Sequence, residues 1–179
     1  MLRAGLAASQ ANEVEKALQL FAKASRACPA SGVPHFLAGS EYAALGQVDK
    51  AEAELANAVL LAPAFHVARY QLGLLQFSSG RAAAALVTWG PLFELADGQA
   101  LKHFVRGFAA LAQDEFAQAK SHFEAGLVRN TENAALSHDI EKILRGIDAQ
   151  AHPCEASAHP EPAAHILLSN YGKLGGTLH

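Results

Sequence analysis

Gly5, Gly39, Gly73 and Gly107 stand 34 residues apart, and the same step carries other residues with it. It links Ala17, Ala51, Ala85 and Ala119, and it links the large residues Phe21, Leu55, Trp89 and Phe123. Ala24, Ala58, Leu92 and Gly126 follow, then Pro29 and Pro63, with Asp97 and Thr131 at the two later positions. A register held over three steps describes stacked copies of one unit, each too small to bury its apolar face alone, rather than one closed core. The residue types fit pairs of helices. Glycine or alanine where two helices cross lets their backbones approach, and the large residue four places after the second-helix alanine fills the next gap. Proline then stops the second helix, because it lacks an amide proton and biases the residue before it away from the helical region.

The unit from 32 to 65 carries Ala38, Gly39, Tyr42, Gly46, Ala51, Ala58 and Pro63; the next, 66 to 99, carries Leu72, Gly73, Gly80, Ala85 and Trp89. Residues 100 to 133 repeat Gly107, Ala119 and Phe123, and residues 1 to 31 form a first unit whose leading helix begins late. With this pattern the chain resembles the tetratricopeptide repeat family. The resemblance implies an all-α, right-handed superhelical solenoid of about four helical hairpins, spanning 1–148, with a C-terminal capping helix and a tail.

Two departures bear on the geometry. Gly90 and Pro91 fall inside the second helix of the third unit, where proline costs about 3 kcal/mol and bends or breaks a helix. Thr131 replaces the closing proline of the last unit, so that turn needs another cap, with Thr131 and Asn133 as the candidates. Residues 134–148 place Leu136, Ile140, Ile143, Leu144 and Ile147 at helical spacing and read as the capping helix. Residues 149–164, rich in alanine, proline and histidine, read as a linker. The segment 165–179 turns apolar again.

The resemblance implies that the first helices line a concave groove. Carried onto this chain, its groove places hold Val33, Phe36, Ser40, Ala43 and Ala44, then Val67, Tyr70, Leu74, Phe77 and Ser78, then Leu101, Phe104, Phe108, Leu111 and Ala112. Leu2, Leu6, Ser9 and Gln10 continue the row. It is almost wholly apolar and lacks the Lys, Asn and Arg donors with which some family members grip a chaperone's terminal carboxylate. The expected ligand is an apolar helix or extended peptide. In this the chain looks like the small tetratricopeptide chaperones of bacterial type III secretion, and it is expected to act as a scaffold or chaperone-like adaptor. A competing reading is that the aromatic row fills the layer between helices instead of lining a site.

The tail is a candidate ligand. A linker of about 16 residues reaches roughly 20 to 25 Å. Three side chains from Ile166, Leu167, Leu168, Tyr171 and Leu174 would gain on the order of 5 to 8 kcal/mol on burial. Ordering each residue costs roughly 1.5 kcal/mol, so docking would be displaceable, in the same chain or across a homodimer.

Composition excludes other classes. With 51% apolar and 17% charged residues and a net charge of −3, the chain has no basic stripe for nucleic acid. No window approaches the 18 apolar residues of a membrane span, and the expected location is cytoplasmic. Cys28 and Cys154 make no disulfide framework. His152, Cys154, His159 and His165 match no closed zinc spacing, and no cofactor is expected. His35 and His103 occupy the place where the family usually has tryptophan, which suits packing. Phosphate-loop, nucleophile-elbow and zinc-protease motifs are absent, so catalysis is not expected. A substrate-docking subunit of a larger enzyme and a purely structural homo-oligomer are the alternatives.

Overall fold

The computed structural model describes residues 1–151. Nine helices follow one another among them: α1 (Leu2–Gln10), α2 (Val14–Ala27), α3 (Val33–Ala44), α4 (Val48–Leu61), α5 (His66–Ser78), α6 (Ala82–Phe93), α7 (Ala100–Leu111), α8 (Phe116–Arg129) and α9 (Ala134–Ala151). At nine residues α1 is shorter than the twelve-residue α3.

The turn between the two helices of each repeat is set at one place. Gly46 and Gly80 have φ of 69° and 77°, and Asn12 and Asp114, at the same repeat place, have φ of 60° and 58°. Glycine adopts this left-handed region freely, and Asn and Asp are the side chains that best tolerate it. The left-handed residue lets the following amide reach back to the last helical turn: Gln47 N–H donates to the Tyr42 carbonyl at 2.9 Å, Glu13 to Ala8 at 2.8 Å and Glu115 to Ala110 at 3.0 Å.

Contacts divide the chain into two compact units, residues 1–76 and residues from 77 onward. In the first, α1 packs on α2, α2 on α3 and α3 on α4. Gly5 lies where a Cβ would stand 2.5 Å from the Phe21 ring, and Gly39 where it would stand 2.8 Å from Leu55 Cγ. One apolar cluster joins Ala8, Ala17, Phe21, Leu37 and Ala38, and another joins Ala43, Ala51, Leu55, Leu72 and Leu75. Each holds one of the repeating alanines, fully buried, against the large residue four places on.

In the second unit α7 packs on α6 and α8, and α9 packs on α8. Gly107 repeats the glycine contact, with a Cβ position 2.5 Å from Phe123 Cε1. Helix α6 runs through Pro91 to Phe93 and ends two residues before the position matching the end of α4. Gly90, which has no Cβ to meet the proline ring, relieves half of the usual clash. Proline removes one hydrogen bond, and its would-be acceptor residue, Val87, is exposed to water. Asn133 caps α9, its Oδ1 accepting from Leu136 N–H at 3.0 Å, and Asn130 Nδ2 donates to the Asn133 carbonyl at 2.7 Å. These side-chain bonds do the work that proline does in the turns after α2 and α4. Leu136, Ile140 and Ile147 are buried along α9. That helix continues through Ala149 and Gln150 to Ala151, ahead of Pro153.

Candidate interaction surface

Within residues 1–76 the row from the first helices is partly sunk. Phe36 is half-buried and rests on Phe65, ring centroids 4.8 Å apart. Val67 is exposed, while Tyr70 and Leu74 are buried. The polar members of the row are paired. The Ser9 hydroxyl of α1 donates to the Glu41 carboxylate of α3. Ser40 Oγ lies 3.0 Å from the Phe36 carbonyl and 3.1 Å from Gln71 Oε1 of α5. Successive first helices are therefore joined by polar bridges, and Ser40, Glu41 and Gln71 are buried in forming them. Such groups are tolerated inside because each finds a partner.

Within the second unit Phe77, Leu101 and Leu111 are half-buried, whereas Phe104 and Phe108 are fully buried. Phe104 fills the space left by a glycine, for a Cβ on Gly126 would stand 2.4 Å from its Cε1. Phe108 lies inside a cluster of rings, 5.2 Å from Phe77, 5.3 Å from Trp89 and 5.1 Å from Phe123. A ligand reaches neither ring without opening the helix contacts. Ile166, Leu167, Leu168, Tyr171 and Leu174 lie outside the described residues.

The histidines that face across the hairpins sit at equivalent places. Between α3 and α4, His35 Nδ1 and Glu54 Oε2 are 2.7 Å apart. Between α7 and α8 the same two places hold His103 and His122, ring centroids 6.5 Å apart. His103 Nε2 donates to the Asp97 carbonyl at 2.8 Å, which also accepts from Arg129 Nε at 2.8 Å. Lys102 Nζ bonds the Asp97 carboxylate at 2.7 Å, and that bond and its charge hold the carboxyl below its usual range. Burial holds His122 below the ordinary histidine value, helped by Arg106 and His103. Cys28 is a free, exposed thiol, and no group of three metal-ligating residues occurs among the described residues.

Helical hairpins repeated on one 34-residue pattern, with no strand among the described residues, define an all-α helical-repeat solenoid. No family model matches the chain, and no curated protein does. A solved chain titled "MamA RS-1 ArsTM double mutant", of the tetratricopeptide type, has the same kind of fold with a TM-score of 0.61 and 16% identity. The match covers 93% of this chain and 89% of that one. No helix among the described residues is long and apolar enough to cross a membrane.

The sequence pattern did not expose Glu41, Gln71 or the Asn12 and Asp114 turns. Stepping 34 residues from Gly46 and Gly80 would have found the last two. Glu41 carries a signal of its own, as the one acidic residue in the apolar helix α3.

Proposed function

We propose that this protein is an interaction scaffold whose first helices receive an apolar helix or peptide. The observation behind the reading is that Phe36, Leu101 and Leu111 keep part of their apolar surface in water, although neighbours on the same helices are fully buried. Val67 does so more openly. Leaving large apolar side chains part-exposed forgoes roughly 1 kcal/mol each, an arrangement a partner would correct. The polar bridges hold α1, α3 and α5 in a fixed register within residues 1–76. Phe104 and Phe108 support it from beneath and do not touch the ligand.

The C-terminal segment, through Ile166, Leu167, Leu168, Tyr171 and Leu174, is proposed as a competing occupant, in the same chain or between two copies. The test uses the full chain and a labelled synthetic peptide of residues 164–179, followed by fluorescence anisotropy. Replacing Leu167 and Leu168 with Asp in the full chain should strengthen peptide binding several-fold by removing the competitor. Phe36→Asp or Leu101→Asp should weaken it at least tenfold. Binding that ignores both groove substitutions would refute the site, and binding that ignores the tail substitutions would refute the competition.

A further inference from the structure

Histidine faces a different partner in each of two equivalent hairpins. In α3–α4 it meets the carboxylate of Glu54 at 2.7 Å; in α7–α8 it meets a second histidine. His103 is enclosed. Its Nε2 must carry the proton it gives to the Asp97 carbonyl, so in the neutral ring Nδ1 bears a lone pair, and that atom is buried without a hydrogen-bond partner. A proton added there would create a buried donor with no acceptor.

Among the surrounding charges the Asp97 carboxylate attracts a charged His103, but it is already bound to Lys102. On α7 itself, Lys102 is bound to the Asp97 carboxylate and Arg106 adds positive charge; on α8, Arg129 occupies the Asp97 carbonyl. Helix α6, packed against α7, carries no titratable residue. Asp148 of α9 is engaged with Lys120, and Lys142 with Asp139. Two imidazolium rings with centroids 6.5 Å apart would repel each other.

We infer that the His103–His122 pair is an acid-sensitive joint: proton uptake below neutral pH loosens the α7–α8 hairpin, while the equivalent His35–Glu54 pair keeps α3–α4 closed. Phe104 follows His103 in sequence and packs on Gly126 across the same hairpin, so loosening would expose it. This inference does not depend on the proposed ligand. Histidine suits the purpose because imidazole is the side chain whose ordinary pKa lies nearest physiological pH.

The test is hydrogen exchange by mass spectrometry on the full chain at about pH 7 and about pH 5.5, expressed as protection relative to the intrinsic exchange rate at each pH. Amides in 103–126 should lose protection roughly tenfold on acidification, and those in 35–58 less than twofold. His122→Glu copies the acid-tolerant pair into α7–α8 and should abolish the loss. Glu54→His makes the reverse change and should confer acid sensitivity on α3–α4. Equal loss in both wild-type hairpins, or a loss that survives His122→Glu, would overturn the inference; so would an acid-insensitive α3–α4 in Glu54→His.

Discussion

Gly107 offers the sharpest test of the packing. A methyl group added there would stand 2.5 Å from Phe123 Cε1, 2.6 Å from Cδ1 and 2.9 Å from Cζ. Carbon atoms do not approach so closely, so the ring must shift by about half an ångström or more. It has little room, being fully buried with its edge toward Phe108 at 5.1 Å. Overpacking of this kind costs about 1 to 3 kcal/mol, and a rigid ring held on all sides belongs in the upper half. Alanine returns about 1 kcal/mol through helix propensity. Gly107→Ala should therefore destabilise by about 1 to 2 kcal/mol. Gly39→Ala meets the more adaptable Leu55, with Cγ at 2.8 Å and Cδ2 at 3.1 Å, and should cost less. Gly146→Ala meets nothing within 4 Å and should stabilise by about 1 kcal/mol. Urea unfolding followed by circular dichroism at 222 nm would rank the three midpoints. Adding Phe123→Leu should recover part of the Gly107→Ala loss, with a coupling of about 1 kcal/mol. A Gly107→Ala midpoint as high as that of Gly146→Ala would refute the close contact.

The turns make a second set of expectations. Gly46→Ala should destabilise by about 1 to 2 kcal/mol from backbone conformation alone, since its Cβ would meet no neighbour, whereas Asp114→Gly should be neutral or slightly stabilising; urea midpoints check both. Asn133→Ala removes the cap of α9 and should cost about 1 kcal/mol, with faster amide exchange at Leu136 as the local signature. Burial, with Arg106 and His103, holds His122 below the ordinary histidine value, so as pH falls through the range of a free histidine the unfolded chain binds the proton first, and stability falls until the folded group titrates too. His122→Gln should flatten that part of a stability-against-pH curve measured by thermal unfolding.

The helices, their crossing glycines and the turn glycines were legible because a repeat demands the same residue type at the same place. Gly5, Gly39 and Gly107 each meet the large residue sixteen positions on, in the hairpin the pattern implied. Contacts between units were less legible. Ser9 bonds Glu41 at a separation of 32 and Ser40 meets Gln71 at 31, so the pairs do not fall on the 34-residue step. That step aligns equivalent places, whereas stacked helices bring non-equivalent ones together. Helix α6 carries Pro91 for a local reason: the proline follows a glycine, and the acceptor it leaves unpaired belongs to Val87, which is exposed to water.

The aromatic row shows why a place cannot be interpreted from its own residue. Phe36 and Phe104 occupy the same repeat place, yet Phe36 stays half-buried beside Phe65 while Phe104 disappears into the α7–α8 contact. The difference lies across the hairpin, where the residue matching Ala58 is Gly126. A missing methyl group opens a space that the Phe104 ring enters, its Cε1 standing 2.4 Å from where that methyl would be. His103 and His35 diverge by the same logic, since one faces a histidine and the other a glutamate from the matching place on the second helix. In the α7–α8 hairpin the Phe104 ring is drawn into the core by the residue across from it, and Gly126→Ala should push that ring outward.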